Sequence, residues 1–432
     1  MNLNRRDLLR IAMSLPAASW LLNFRALAAP FSKLVKITDV KVLGLDNTGD
    51  GCLVRVDTDA GLTGYGEAAY SAQGARAAIE LMKPSLIGQD PLAIERHFYI
   101  MTATQYPFMA HIPTAGGVDI ALWDLAGQII GLPVYRLLGG PIQKDIPIYG
   151  HGSVPNMLDK GACRAWADQV KAEPDGITTF KFTGLVSNGG AARLRGPATG
   201  ATLANAFRRT GKGGFPYSTT LDGDDFERVN QGYTNLREAV GSSIDLAMHC
   251  NAQFDTRSAI GLCKAIEPVN PMWIEDPLNA RYSEAWLELK RSTRVPILTG
   301  ERLELVAGFR PFLDNQVVDV IHPDTACAGG ITACRDIGKY AGLTRTPVAF
   351  HSGACSLVKF YASIHVAAAT QNLFKVENVL GAFRGNQENM AQGEKPAVRK
   401  GVFPVPESPG LGLEINEDWL RAHLQKGEKW WS

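Results

Sequence analysis

Six residues of types that bind metal ions or transfer protons recur at nearly constant spacing in the second half of the sequence. Imidazole and carboxylate groups serve both as metal ligands and as general acids or bases. The intervals between successive residues are 26, 26, 23, 27 and 26 positions. The six residues are His249, Glu275, Glu301, Asp324, His351 and Glu377. This spacing indicates that each repeat of a regular fold carries one chemically active side chain.

Each of the six residues ends a short apolar run and is followed by loop-type residues. Apolar runs that alternate with helical stretches are typical of parallel strands buried on both faces. The interval is close to the roughly 30 residues that one strand, one helix and two loops occupy in a TIM barrel of about 250 residues. Because the carboxyl ends of barrel strands meet at one mouth, we expect the six side chains to converge there.

An earlier apolar run, Gly176–Phe182, predicts a further strand that carries Lys181. This lysine precedes His249 by 68 residues, which is more than one repeat. The intervening stretch from Leu185 to about Asp225 is rich in glycine and in basic residues. Long loops inside compact domains are usually functional lids or disordered segments. We interpret this stretch as an insert that would help to hold an anionic substrate.

The bulk composition is that of a globular protein with more than one domain. A chain of 432 residues exceeds one ordinary core, and one of its domains has the size of a barrel. The formal net charge of +1 gives no support to nucleic-acid binding. Seven cysteines without a Cys-x-x-Cys pair argue against a disulfide framework or a structural zinc site.

The N-terminus has the features of a bacterial secretory signal. Paired arginines, Arg5 and Arg6, precede the moderately apolar stretch Ile11–Leu22 and the small-residue cleavage site Ala26–Ala28. The paired arginines are typical of twin-arginine signals, which export folded proteins. The apolar stretch is too short to span a bilayer stably. We therefore expect a periplasmic protein without a membrane anchor, and we weigh an amphipathic N-terminal helix as the alternative.

A small α+β domain is predicted before the barrel. Strand-like alternation runs from Lys36 to about Tyr65, with a turn at Asp59–Gly61, and helical periodicity follows over 75–87 and 92–101. A further helix is predicted around Val118–Ala126, and Gly131 should end it.

The sequence resembles the mandelate racemase/muconate lactonizing enzyme group of the enolase superfamily over nearly all of the mature chain. The motifs that carry the resemblance are Gly117–Gly127, Trp273–Pro277, Gly300-Glu301, His322–Asp324, Gly329–Thr332 and the strand end at His351. The resemblance implies an α/β fold, a modified TIM barrel written (β/α)7β, with an α+β capping domain formed by both termini. We expect a signal over residues 1–28, the N-terminal capping domain over 33–145, the barrel over 146–395, and a C-terminal segment over 396–432 that returns to the capping domain.

The resemblance also implies a chemistry, the abstraction of the proton next to a carboxylate to leave an enediolate held by a divalent metal. Under it, Glu275 and Glu301 match metal ligands, and His351 with Asp324 matches a His-Asp dyad that acts as the base. Glu377 matches an acid that hydrogen-bonds the substrate carboxylate. Lys181 matches the first lysine of a Lys-x-Lys motif.

Two positions depart from the pattern of the group. Thr183 replaces the second lysine and cannot act as an opposite-face base, which favours a one-base reaction. His249 stands where the first metal ligand is normally Asp, and Asn251 faces the same way two residues later. Three interpretations stay open: His249 binds a softer ion such as Mn²⁺ or Zn²⁺, it is an acid beside a two-carboxylate Mg²⁺ site, or the site has lost its metal.

The function expected from these residues is a metal-dependent hydro-lyase that converts a sugar acid to a 2-keto-3-deoxy acid. His351 would remove the α-proton, and His351 or another acid would protonate the leaving β-hydroxyl. The substrate would be a small carboxylate contacted by Asn251, Thr183 and Glu377, and Mg²⁺ is the metal that the resemblance favours. The alternatives are a one-base epimerase or cycloisomerase, and an exported sugar-acid binding protein with a decayed metal site. Members of the group commonly form oligomers, so we expect a homo-oligomer.

Overall fold

The first part of the fold is a small antiparallel sheet. The computed structural model describes residues 35–46, 51–69, 71–103, 110–183, 220–353, 356–378, 387–393 and 395–431. Strands β1 (Ile37–Gly44), β2 (Cys52–Thr58) and β3 (Thr63–Ala68) pair in the order β1-β2-β3. Gly61 takes a φ of 74° in the turn between β2 and β3, as the predicted turn requires. The strand-like alternation predicted for this region is confirmed.

In the described part of the chain, four helices follow the sheet before the barrel begins. They are α1 (Ala72–Leu86), α2 (Ile94–Thr102), α3 (Ile112–Ile130) and α4 (Val134–Leu137). Helix α3 is buried along most of its length and ends at Gly131, which takes a φ of 79° as its C-cap. A Cβ on Gly66 of β3 would lie 1.9 Å from the Gly117 carbonyl oxygen, and one on Gly116 would lie 2.3 Å from the Ala326 carbonyl oxygen. Glycines therefore let α3 approach the sheet on one side and the barrel on the other.

Eight parallel strands form a closed barrel. Strand β11 pairs in parallel with β4 and closes the circle, with Glu377 opposite Tyr149. The strands are β4 (Asp145–Gly152), β5 (Thr179–Thr183), β6 (Asp245–His249), β7 (Trp273–Glu275), β8 (Ile297–Thr299), β9 (Val320–Ile321), β10 (Val348–Phe350) and β11 (Leu373–Glu377). All seven strands predicted from the apolar runs are present.

Seven helices alternate with the barrel strands in the described part of the chain. They are α5 (Lys160–Ala172), α6 (Gly223–Val240), α7 (Thr256–Ile266), α8 (Glu284–Ser292), α9 (Leu305–Asp314), α10 (Gly330–Leu343) and α11 (Leu357–Ala368). One layer of the barrel interior consists of Tyr149, Ala247, Trp273, Leu298, Val320 and Ala349. Eight strands with seven intervening helices form a (β/α)7β barrel, so the predicted fold class is confirmed.

The C-terminal residues contact both the barrel and the small sheet. Strand β12 (Val402–Pro404) pairs antiparallel with the start of β4. After helix α12 (Glu417–Ala422), Leu424 bridges to Leu45, and the Arg55 guanidinium lies 4.7 Å from the centre of the Trp431 ring. The expected domain boundaries stay predictions. Within the described ranges, no helix is both long and apolar enough to cross a membrane.

Candidate active site

The barrel brings the predicted side chains together at its carboxyl-terminal mouth. Parallel register sets Thr183 beside His249, and His249 beside Glu275. His249, Glu275 and Glu377 are the last residues of β6, β7 and β11, while Glu301, Asp324 and His351 lie just beyond β8, β9 and β10. Because β8 and β9 are shorter than the apolar runs predicted, Glu301 and Asp324 belong to loops rather than to strands.

Lys181 lies at the centre of an ionic cluster. Its ammonium nitrogen is 2.8 Å from Glu275 Oε1 and 2.8 Å from Glu377 Oε1, and its side chain is 1% exposed. The second oxygen of Glu275 accepts a hydrogen bond of 3.0 Å from the Trp273 indole. Burial alone would lower the pKa of Lys181, but Glu275 and Glu377 outweigh it and raise this pKa. The lysine is therefore a fixed cation beside two carboxylates.

His351 and Asp324 form a hydrogen-bonded pair. Nδ1 of His351 donates to Asp324 Oδ2 at 2.6 Å. Nε2 of the same ring lies 3.2 Å from Glu301 Oε2 and 3.4 Å from Glu377 Oε2. Burial alone would lower the pKa of His351, but Glu377, Glu301 and Asp324 outweigh it and raise this pKa. The Asp324 carboxylate fixes the ring orientation and leaves Nε2 as the atom that exchanges a proton at the mouth.

Asp324 is itself held by a cation. The Lys359 ammonium donates to Asp324 Oδ2 at 2.8 Å. Burial would raise the pKa of Asp324, but Lys359 and His351 outweigh it and hold this pKa far below its usual range. Asp324 is therefore ionised whenever His351 donates to it.

Glu301 lies between His351 and His249 at the mouth. His249 Nε2 is 3.7 Å from Glu301 Oε2 and 3.5 Å from Glu275 Oε1. Burial lowers the pKa of His249 to about 4, so its imidazole is neutral at neutral pH. Arg302 contacts Glu301 Oε1 at 2.7 Å and pairs with Asp276. Burial would raise the pKa of Glu301, but Arg302 and His249 outweigh it and hold this pKa well below its usual range. Glu301 therefore stays ionised.

The residues present fit a divalent metal ion. Ligand atoms of His249, Asp276 and Glu301 lie within 4.8 Å of one another, and so do those of Glu301, His322 and His351. A neutral imidazole and two carboxylates suit Mn²⁺ or Zn²⁺, and the carboxylate oxygens suit Mg²⁺. Glu275 belongs to neither group, and its two oxygens accept hydrogen bonds from Lys181 and Trp273. Its role as a ligand stays a prediction.

Glu377 accepts hydrogen bonds from several donors. They come from the His151 imidazole and from the backbone N–H groups of Ser352 (2.8 Å) and Gly353 (2.9 Å). Burial would raise the pKa of Glu377, but Lys181 and His351 outweigh it and hold this pKa well below its usual range. An ionised carboxylate only accepts hydrogen bonds. A hydrogen bond from Glu377 to a substrate carboxylate therefore requires that Glu377 be protonated. Lys181 and His151 already carry N–H groups that donate hydrogen bonds.

The predicted substrate contacts have unequal support. The Asn251 Oδ1 accepts a long hydrogen bond of 3.4 Å from Arg302. The Asn251 Nδ2 is buried without a hydrogen-bond partner in the described residues, so it can donate to a bound molecule. Thr183 is the last residue of β5 and pairs in register with His249, and its contact with substrate stays a prediction. The basic insert falls almost wholly within 184–219, outside the described residues.

Four residues of the mouth were not identified from the sequence. They are His151, Asp276, His322 and Lys359. Asp276 directly follows Glu275, and strand alternation predicts that the two face opposite ways. Its φ of 45° breaks the alternation and turns its carboxylate towards His249. His322 stands in the His322-Pro323-Asp324 motif, and this motif is the sequence feature that could have identified it as a site residue.

Comparison with known proteins identifies the family. Residues 165–419 match the model of the enolase C-terminal domain-like family, and residues 46–139 match the mandelate racemase/muconate lactonizing enzyme N-terminal domain. The chain belongs to the mandelate racemase/muconate lactonizing enzyme group of the enolase superfamily.

Several relatives of the chain are sugar-acid dehydratases by name. The chain is 31% identical to the D-xylonate dehydratase of Haloferax volcanii, with 91% of this chain and 90% of the relative covered. It is 27% identical to the D-galactonate dehydratase of Pectobacterium atrosepticum, with 87% and 92% covered. A solved mandelate racemase/muconate lactonizing enzyme-like protein of Rubrobacter xylanophilus superposes with a TM-score of 0.78 at 26% identity, covering 93% of this chain and all of that one. The chain is an enzyme of the hydro-lyase class.

Proposed function

We propose that the protein dehydrates a sugar acid of the aldonate, aldarate or uronate type to a 2-keto-3-deoxy acid. The observation that carries this proposal is the His351–Asp324 pair, with Nε2 of His351 facing the ionic cluster at the mouth. The dehydratase names of the relatives support the same reaction, since they act on D-xylonate and D-galactonate.

The first step is removal of the α-proton by His351. In the neutral ring, Nδ1 carries the proton given to Asp324, so Nε2 holds the free electron pair. The proton passes to Nε2, and the electrons of the C–H bond move onto the carboxylate to give an enediolate. The imidazolium that forms is stabilised by Asp324 and by the neighbouring Glu301 and Glu377.

The second step breaks the bond between Cβ and its hydroxyl oxygen. The enediolate electrons form the Cα–Cβ double bond, and the hydroxyl leaves with a proton as water. His351, now protonated, is one donor for that proton, and His151 on the other side of Glu377 is a second. The resulting enol becomes the 2-keto acid by taking a proton at Cβ and releasing the proton of its enol hydroxyl to water.

Positive charge beside the substrate carboxylate makes the first step feasible. Lys181 supplies one fixed cation. A divalent metal ion, when bound, supplies a second positive charge where negative charge develops as the proton leaves. His249 and Glu301, with Glu275 or Asp276, would hold it. We propose Mg²⁺ from the family and Mn²⁺ or Zn²⁺ as the alternatives that the His249 imidazole favours.

An epimerase or cycloisomerase that uses one base is the second candidate. It is favoured by the same His351, because abstraction of the α-proton is common to these reactions. Thr183 in place of a second lysine leaves no base on the opposite face at this position. The product distinguishes the candidates, since only the dehydratase loses water.

Proton NMR in D2O tests the proposal. The mature protein, supplied with Mg²⁺ or Mn²⁺, is incubated with pooled sugar acids, and Lys375→Met serves as a control variant outside the mouth. The expected result is a 2-keto-3-deoxy product from one sugar acid. Exchange of the α-proton without loss of water would favour epimerisation, and no reaction at all would contradict the proposal.

Export is proposed separately, from residues 1–28, which lie outside the described residues. The paired arginines support the twin-arginine route and a periplasmic location. Fractionation of cells that express the full chain tests this, and an Arg5→Lys, Arg6→Lys variant should stay in the cytoplasm.

A further inference from the structure

Lys359 is a buried cation directly behind the His351–Asp324 pair. It stands in the first turn of helix α11, and its side chain is 3% exposed. Lysine is almost never fully buried unless it is paired, because removing an unpaired charge from water has a large free-energy cost. Its partner here is Asp324, at 2.8 Å.

The four acceptor positions of Asp324 are all used. Oδ1 accepts the backbone N–H groups of Ala326 and Cys327, each at 2.9 Å. Oδ2 accepts both His351 Nδ1, at 2.6 Å, and Lys359 Nζ, at 2.8 Å. Lys359 therefore contacts the same oxygen that orients the catalytic ring. A carboxylate held by donors on both oxygens cannot rotate without breaking several hydrogen bonds.

Lys359 also holds the loop that follows His351. Its ammonium donates to the Gly353 carbonyl oxygen at 3.2 Å, while the Gly353 N–H donates to Glu377 Oε2. A Cβ on Gly353 would lie 2.7 Å from His351 Nε2, so this loop packs directly against the ring. One ammonium group thus connects Asp324, the Gly353 loop and, through that loop, Glu377.

The capping sheet supplies a hydrogen-bond acceptor from the other side. Glu67 of β3 is 1% exposed and accepts the backbone N–H of Ser356 at 2.9 Å and that of Lys359 at 3.2 Å. The Ser356 hydroxyl also donates to Glu67. A carboxylate at a helix N-terminus is favoured by the helix dipole. Glu67 therefore fixes the turn of α11 that carries Lys359, although it belongs to a different part of the fold.

We propose that Lys359 is a positioning residue, which fixes Asp324 so that Nε2 of His351 faces the α-proton of the substrate. Glu67 fixes Lys359 from the capping sheet, so the sheet contributes to the geometry of the base without contacting the substrate. This role rests on the proposed function, in which His351 is the base.

Kinetics of two Lys359 variants test the role. Lys359→Met removes the ammonium and retains a side chain of similar length, and Lys359→Arg retains a buried cation. We expect Lys359→Met to lower both kcat and the rate of α-proton exchange in D2O by about 10²-fold, since misplacement of a catalytic group by about 1 Å has that effect. KM should change less than about twofold, because Lys359 does not contact substrate. Lys359→Arg should recover most of the loss.

A matched control separates positioning from general destabilisation. Lys375 of β11 is partly buried and lies 5.6 Å from the Phe374 ring, away from the pair. Lys375→Met should leave kcat unchanged. If Lys359→Met lowers only the melting temperature, with kcat and KM unchanged, Lys359 is merely structural and the proposal fails. A rise in KM at constant kcat would also overturn it.

A spectroscopic test does not depend on the substrate. In protein labelled with ¹⁵N-histidine, the His351 Nδ1–H bonded to Asp324 gives a downfield proton signal, assigned by its loss in His351→Asn. We expect Lys359→Met to shift or broaden this signal and Lys359→Arg to restore it. An unchanged signal in Lys359→Met would contradict the positioning role. Failure to dehydrate any sugar acid, with the signal behaving as expected, would instead contradict only the proposed function.

Glu67→Gln tests the contribution of the capping sheet. The substitution preserves the size of the side chain and replaces one acceptor oxygen by an amide NH2 group. We expect kcat to fall by about threefold to tenfold with KM unchanged, and the His351 signal to shift in the same direction as in Lys359→Met. Wild-type kcat and an unchanged signal would remove Glu67 from the proposal.

Discussion

The buried carboxylates of the barrel mouth and those of helix α3 differ in their partners. At the mouth, Glu377 and Glu301 contact lysine, histidine and arginine side chains, and their pKa values are held well below the usual range despite burial. On α3, Asp119 accepts hydrogen bonds from the Thr332 N–H and hydroxyl, and burial raises its pKa to about 7.

Asp124 on the same helix behaves like Asp119. It accepts hydrogen bonds from the backbone N–H groups of Tyr65 and Leu411, and burial raises its pKa to about 6. These bonds join α3 to the small sheet and to the C-terminal segment.

Burial raises the pKa of carboxyl groups in both regions, and at the mouth the cationic partners outweigh it for Glu301 and Glu377. At Asp276 burial prevails over Arg302 and raises the pKa to about 7. At the mouth, Glu301 and Glu377 stay ionised. On α3, the carboxylates accept hydrogen bonds that connect parts of the fold.

Loss of the central cation should have the largest effect. Lys181→Met leaves Glu275 and Glu377 without the ammonium that lies between them and removes positive charge next to the substrate carboxylate. We expect kcat/KM for the dehydrated sugar acid to fall by at least about 10³-fold. Lys375→Met, the same substitution outside the mouth, should change it by less than about twofold. Equal effects of the two variants would contradict the special role of the mouth.

Replacing one aspartate by asparagine at the mouth and one on α3 compares the effect of the two regions on kcat. Asp324→Asn removes the acceptor that fixes the His351 ring, and we expect kcat to fall by about 10²-fold or more. Asp119→Asn changes a carboxylate that does not contact the mouth, and kcat should stay within about twofold of wild type. Steady-state kinetics at saturating metal checks both. A large loss of kcat in Asp119→Asn would show that the regions are not separable.

His249→Ala should lower metal affinity. Removal of one of three converging ligand groups should weaken binding by at least about tenfold. Elemental analysis of dialysed protein and calorimetric titration with Mn²⁺ measure this, with His423→Ala, far from the mouth, as the control. Unchanged occupancy in His249→Ala would exclude His249 as a ligand.

The smallest effect concerns pH. An unfolded aspartate has a pKa of about 3.9, whereas that of Asp119 in the folded protein is about 7. Between these values the folded state binds more protons, so this residue lowers the free energy of unfolding as pH rises from about 4 to 7, by at most about 1.4 kcal/mol per pH unit. Denaturant unfolding at pH 5 and pH 8 should therefore show Asp119→Asn gaining stability relative to wild type at the higher pH. A constant difference would mean that Asp119 does not titrate in this window.

Periodic features of the structure could be predicted from the sequence, and side-chain pairs between distant segments could not. His249, Glu275 and Glu377 end apolar runs, and the parallel barrel brings such ends together whatever the details of packing. Lys359 stands in an apolar helix and gives no sign that it contacts Asp324, 35 residues earlier. Glu67 contacts Ser356 across 289 positions, and only the packing of the sheet on the barrel determines that contact.

Asp276 was not predicted as a site residue because its backbone departs from the extended strand conformation. Strand alternation holds only while the backbone is extended, and the positive φ of Asp276 ends it directly after Glu275. Left-handed backbone in a residue other than glycine often occurs at functional sites. No periodic pattern of residue types reveals it.

In the proposed reaction, the ionic mouth makes His351 the base that removes the α-proton. The most direct test is the rate of α-deuterium incorporation from D2O into the sugar acid that is dehydrated, measured for wild type and for His351→Asn with metal content determined on the same samples. We expect His351→Asn to retain its metal and to lose exchange by at least about 10³-fold. Exchange at a rate near that of wild type in His351→Asn would contradict this role of His351.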